Sequence, residues 1–129
     1  GEEFYKQNFQ HLGKYVGETQ SKISGSPSSI MYVWNELDST CEIALAFPID
    51  GLKKVEKIGY EFISIKEQKA IFAKCYGGYE KIGEAHEKID AYTKEKGLKV
   101  GLVIEEYAND ATSVPENEIQ TNIYYLIEE

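Results

Sequence analysis

Apolar side chains recur at helical spacing in two stretches of this chain, and in short aromatic or β-branched runs elsewhere. Phe4, Tyr5, Phe9, Leu12, Tyr15 and Val16 mark one face of a helix predicted from residue 2 to about 23, and Ser24-Gly25-Ser26-Pro27-Ser28 stops it. Tyr79, Ile82, Ala85, His86, Ile89 and Tyr92 mark one face of a second helix over 79–95, with Gly97 as its stop. The apolar runs predict strands over 30–34, 42–47, 61–65, 70–76, 100–107 and 119–127. Asn35-Glu36-Leu37-Asp38-Ser39 is turn material that makes the first two strands a hairpin. A polar loop over 108–118, with Pro115, separates the last two.

The elements repeat. Helix, loop, strand, turn and strand occur in 2–49 and again in 79–127, where a leading strand, 70–76, precedes them; the first copy lacks that strand. Tyr32-Val33-Trp34-Asn35 followed by Asp38 sits where Glu105-Glu106-Tyr107-Ala108-Asn109-Asp110 sits later. The predicted fold is α+β: two pseudo-symmetric β-α-β-β repeats, about 2–50 and 58–127, forming an antiparallel sheet with two helices on one face.

Length and charge narrow the possible roles. With 129 residues the chain is expected to be one domain, 1–129. Fourteen basic against twenty-two acidic residues leave a net charge of -8, which repels phosphate backbones and anionic membranes, so neither nucleic acid nor membrane is an expected partner. No segment has the length and apolarity of a membrane span, and none has the pattern of a signal peptide. The two cysteines, Cys41 and Cys75, lie in no metal or redox spacing, and Cys75 in its apolar run reads as a buried free thiol. A cytoplasmic location and no metal or cofactor are therefore expected. The chain opens on Gly1, which leaves room for an upstream domain, and monomer and homodimer both stay open.

Strand alternation sorts the candidate chemistry. Glu105 and Tyr107 point one way and Glu106 the other. Asn122 and Tyr124 share a face, as do Tyr32 and Trp34, and Ala44 and Ala46 are small enough to leave room. Bringing the two hairpins together predicts a cleft walled by Tyr32, Trp34, Tyr107 and Tyr124, with Glu105 as its charged group. Aromatic faces and a carboxylate suit flat or cationic organic ligands. The plainer alternative is a solvated strand glutamate beside an amphipathic, tyrosine-rich core. His86, on the inner side of its helix, reads as a satisfied, half-buried histidine rather than a metal ligand. No Ser/His/Asp or Cys/His set can be named, and Gly77-Gly78 lacks the spacing of a phosphate loop.

Several of these segments resemble one family. The run from Lys74 through Cys75-Tyr76-Gly77-Gly78-Tyr79-Glu80 to His86 resembles the strand, glycine turn and Tyr-initiated helix of GyrI-like effector-binding domains. Ile104-Glu105-Glu106-Tyr107 with Asn109-Asp110, and Thr121-Asn122-Ile123-Tyr124-Tyr125-Leu126-Ile127, resemble its later strands. The resemblance is strong over 58–127 and weaker over 2–50, where Tyr32-Val33-Trp34-Asn35 and Ala46-Phe47-Pro48-Ile49 fit. It implies two β-α-β-β units around a pseudo-twofold cleft. Such domains are sensor parts of multidrug-responsive transcription regulators, stand-alone proteins, or modules fused behind polyketide-cyclase-like lipid-binding domains, and the second helix here looks most like the last group. The resemblance implies that Glu105 is the central pocket acid contacting cationic ligands, with Tyr107, Tyr32, Trp34, Asn122 and Tyr124 around it. Alternatively, as in some members, Glu105 and a tyrosine such as Tyr107 hydrolyse strained cyclopropane compounds. A non-catalytic protein-interaction module is the third expectation. Asn122 stands where many relatives carry a second glutamate, which weakens the case for a dication; Leu126 stands where proline is common; and no helix-turn-helix region is present in these residues.

Overall fold

A computed structural model of the chain describes residues 2–19, 21–35, 40–50, 57 and 59–129; of residues 2, 33–35 and 40–42 only the backbone is described. Helix α1 spans Glu2–Glu18, and the two-residue strands β1 (Lys22–Ile23) and β4 (Ile49–Asp50) pair with each other. A hairpin of β2 (Ser28–Asn35) and β3 (Thr40–Ala46) follows α1, then β5 (Ala70–Tyr76), α2 (Tyr79–Lys96), β6 (Lys99–Tyr107) and β7 (Gln120–Glu128). Five strands form one antiparallel sheet in the order β3-β2-β6-β7-β5, so β2 and β6 are neighbours at its middle. This is the expected α+β architecture. No helix among the described residues is long and apolar enough to cross a membrane.

Two expected elements differ. The first helix ends at Glu18 rather than near 23. The Thr19 hydroxyl, fully enclosed, donates to the Val16 carbonyl at 2.8 Å and its amide reaches Tyr15, which closes the last turn. Lys22 and Ile23 are then drawn into pairing with Asp50 and Ile49. The strand expected over 61–65 does not form. Its apolar residues do something else: Tyr60 stacks on Tyr15 at 4.4 Å and Phe62 lies 6.2 Å from the same ring, while Ile63 and Ile65 are exposed. Around α2 the expectation holds closely. Gly77 (φ 124°) turns the chain out of β5, and Gly97 (φ 64°) closes α2 with its amide on the Lys94 carbonyl.

Cross-strand pairs define the faces. Met31, Val103, Tyr125 and Ile71 lie in one row, so they share a face. That face carries the core: Cys75, Val103, Ile123 and Tyr125 pack with Ile89 of α2, and Ile82 and Ala85 join them. Helix α1 reaches the same side where Phe9 meets Tyr107 (6.3 Å) and Phe47 (5.5 Å). The opposite row, Ile30, Ile104, Tyr124 and Phe72, faces away from α2.

A bulge sets this phase. The β6–β7 register passes from Val100↔Ile127 to Val103↔Tyr125, so β6 advances three residues while β7 advances two. Val100 and Val103 therefore both pack on the core despite their odd spacing. Gly101 lies in the bulge; a Cβ there would come within 3.1 Å of the Glu128 carboxylate. From Val103 onward strict alternation carries Glu105 and Tyr107 to the helix side and Glu106 to the other.

Candidate functional site

Glu105 lies on the helix-side face, opposite Ile123 on one neighbouring strand and Ser29 on the other. Only 16% of its side chain is exposed. A carboxylate so enclosed needs donors on its oxygens. It has them on both: the Tyr107 hydroxyl donates to Oε1 at 3.1 Å, and Nε2 of His86, one helix away, sits 2.7 Å from Oε2. His86 is itself 20% exposed.

The contacts continue outward on each side. Ser29 Oγ is 2.6 Å from the Tyr107 hydroxyl. Tyr107 has one proton and gives it to Glu105, so Ser29 is the donor. Nδ1 of His86 is 2.7 Å from the Tyr125 hydroxyl. The result is an unbroken chain, Tyr125–His86–Glu105–Tyr107–Ser29, that runs from β7 by way of α2 and β6 to β2. No enclosed side-chain nitrogen or oxygen among the described residues is left without a partner.

Both phenols are tuned by this setting. Burial pushes Tyr107 well above the ordinary tyrosine range, and the Glu105 charge adds to it against the opposing hydrogen bond from Ser29. Burial likewise raises Tyr125, followed by the Asp90 charge and then by Glu105. Cys75 beneath the site is a buried free thiol, raised by burial and by Glu105. The sign for stability follows. A phenol whose folded value lies above its unfolded value, near 10, contributes fully below about pH 10 and loses that contribution as pH rises through the folded value. The urea midpoint is therefore expected to hold up to about pH 10 and to fall steadily above it, less steeply in Tyr125→Phe. A flat midpoint between pH 10 and 12 would contradict the burial of these hydroxyls.

The expected site residues separate into two groups. Glu105 and Tyr107 are together, as strand alternation requires. Asn122 and Tyr124 are not with them: their row falls on the opposite face, where both donate to Oε1 of Glu106, at 2.8 and 3.3 Å. Burial and the Glu106 charge raise Tyr124, and its ring packs at 5.0 Å against Phe72, which is 51% exposed. Tyr32 also falls in that row, paired with Leu102. It lines a separate groove of about 990 Å³ with Tyr5, Tyr15, Ile30, Ala44 and Phe62, which neither Glu105 nor Tyr107 lines. The small Ala44 and Ala46 do border open space there. The side chain of Trp34 lies outside the described residues. His86 is satisfied and half-buried, as its helical position indicated. What its position did not show is that Glu105 is its partner. Among the described residues no three His, Cys, Asp or Glu side chains gather as a metal site.

A family model described as a GyrI-like small molecule binding domain matches residues 2–128. No curated protein matches the chain.

Proposed function

We propose that this chain, which belongs to the GyrI-like small-molecule-binding domain family, holds a cationic or aromatic organic compound beside Glu105, acting as a sensor or sequestering module. The observation that carries this reading is the Glu105 carboxylate, enclosed on the helix-side face and fixed by Tyr107 and His86. The rings nearest to this carboxylate on the α1 side are Tyr107 and Phe9, 6.3 Å apart, and the ligand would pack against them. A desolvated carboxylate attracts cations strongly because little water competes, and adjacent rings offer their faces to the same charge. The outer row, with Tyr32, Asn122 and Tyr124, takes no direct part.

The hydrolytic alternative would make Glu105 a general base, with a tyrosine as acid. Both carboxylate oxygens already accept hydrogen bonds within the protein, which favours anchoring over proton abstraction. An aromatic cationic dye titrated into wild type and Glu105→Gln, read by the dye's anisotropy, tests the binding reading. Loss of the charge is expected to weaken binding by about tenfold to a hundredfold, the range for a hydrogen bond or contact to a charged group. Equal affinities would remove Glu105 from the site.

A further inference from the structure

Strand β5 ends the sheet, with β7 on its inner flank and no described strand on its outer one. The hydrogen bonds to β7 show which residues use the inner flank. The Ile127 amide donates to the Lys69 carbonyl and the Gly77 amide to the Ile119 carbonyl, each at 2.9 Å. Antiparallel bonding alternates, so Ile71, Ala73 and Cys75 bond inward as well. Ala70, Phe72, Lys74 and Tyr76 therefore turn their N–H and C=O groups outward. Among the described residues no backbone group meets them there. The same four residues have exposed side chains, with Phe72 at 51% and Tyr76 at 53%. The other edge of the sheet differs, since α1 packs beside β3.

A bare edge of this kind is a template for another strand. Strand β5 has no proline and no bulge to blunt it, and its single charge is Lys74. We infer that two copies of this chain pair through β5, antiparallel about Ala73, so that their sheets become one. In this register Ala70 meets the partner's Tyr76, and Phe72 meets the partner's Lys74. The outward N–H and C=O of all four residues are then satisfied in both copies. Charge selects the register. Centring on Lys74 would set two lysines opposite one another, which destabilises a sheet, whereas centring on Ala73 sets each ammonium beside an exposed aromatic ring. Centring on Phe72 would leave Tyr76 with no partner inside β5. This match of Lys74 to Phe72 favours a second copy over an unrelated extended peptide, which would satisfy the backbone alone. Paired residues keep their faces, so both α2 helices lie on one side of the joint sheet. His86 and Ile89 reach from α2 to β6 and β7, which places that helix over the inner strands and leaves the edge open.

Sedimentation equilibrium of the full chain reads the mass, and amide hydrogen exchange reads the edge. Each copy carries a net charge of -8, so both are measured at about 0.15 M salt, where repulsion is screened beyond about 8 Å. From about 10 μM to about 1 mM chain, the weak end of specific association, the mass is expected to rise toward twice that of one chain. Over the same series exchange of the Phe72 and Lys74 amides should slow at least about tenfold, while Ile71, Ala73 and Cys75 stay protected throughout by β7. Phe72→Lys sets a lysine against the partner's Lys74 and should weaken association at least about tenfold. Adding Lys74→Glu makes that pair opposite in charge and should bring the affinity back to within about threefold of wild type. Protection of Ile71, Ala73 and Cys75 in both variants reports that the sheet is intact. A chain that stays monomeric to about 1 mM overturns the inference. A dimer whose Phe72 and Lys74 amides exchange freely also overturns it, because the copies are then joined elsewhere. A monomer in which those amides are already slow overturns it too, because the edge is then covered within one chain. An intact double variant that fails to recover association overturns the register about Ala73.

Discussion

Ile123→Ala is expected to lower the free energy of unfolding by about 4 kcal/mol, near the upper part of the range for emptying a buried aliphatic site. Ile123 has no exposed surface and stands in the middle of the cluster with Val103, Tyr125, Cys75 and Ile89. Strand β7 is held on both sides, by β5 and β6, so the backbone has little freedom to collapse into the space. The loss would take a large share of the 5–15 kcal/mol that keeps a domain of this size folded. Ile123→Val, which removes one methyl group, should cost about 1 kcal/mol. Urea unfolding of the three proteins reads the series. An Ala cost below about 1.5 kcal/mol would mean that this position is not the packed centre described above.

Tyr107→Phe should cost about 1–3 kcal/mol and weaken ligand binding as well. The ring can keep its contact with Phe9, so the change isolates the hydroxyl. That hydroxyl serves two groups: it donates to Glu105 and accepts from Ser29, a residue only 2% exposed. Without it the Ser29 hydroxyl loses its partner inside the protein, and Glu105 keeps only His86. Tyr124→Phe is the natural comparison. It removes a longer, more exposed bond to Glu106 on the other face, and should stay within about 0.5 kcal/mol. Urea midpoints give the stability difference and dye anisotropy the binding difference. If the two substitutions behave alike in both measurements, the helix-side glutamate has no special standing over its neighbour.

Much of this fold is legible in the residues themselves. Both helices follow from apolar spacing, and Gly97 marks the end of α2 because its left-handed backbone favours glycine. The strand misread over 61–65 shows where the signal stops. Aromatic and β-branched content records a residue's fitness for a pleated surface, not whether a neighbouring strand has an edge to offer. The edge beside β7 is taken by β5. The helix end was misplaced for a similar reason, since the Thr19 hydroxyl closes the turn by a contact that apolar spacing does not register.

The site divides in the same way. Alternation within β6 is enough to set Glu105 with Tyr107 and apart from Glu106. Alternation within β7 sets Asn122 with Tyr124. Which of those two rows faces which is a matter of register between the strands, and no single-strand pattern contains it. Pairing of Glu106 with Asn122 and of Glu105 with Ile123 gives the answer opposite to the one expected. His86 was visible as a histidine on the inner face of α2. Its bond to Glu105 joins residues nineteen apart through the packing of α2 on the sheet, and only the folded chain brings them together.

The extra residue in β6 decides which acid the site presents. Strict alternation from Val100 with every residue kept would turn Leu102, Ile104 and Glu106 toward the helices and leave Glu105 outside with Phe72 and Tyr124. Tyr107 would depart with Glu105, and the incoming carboxylate would meet His86 without a phenol beside it. Loss of one residue between Val100 and Val103 is different, because it removes the bulge and its offset together: Val103 becomes the second residue after Val100 and Glu105 the fourth, still facing the helices. The segment before the site can thus shed a residue without changing its acid, whereas a change that flattens the bulge at constant length exchanges one glutamate for the other.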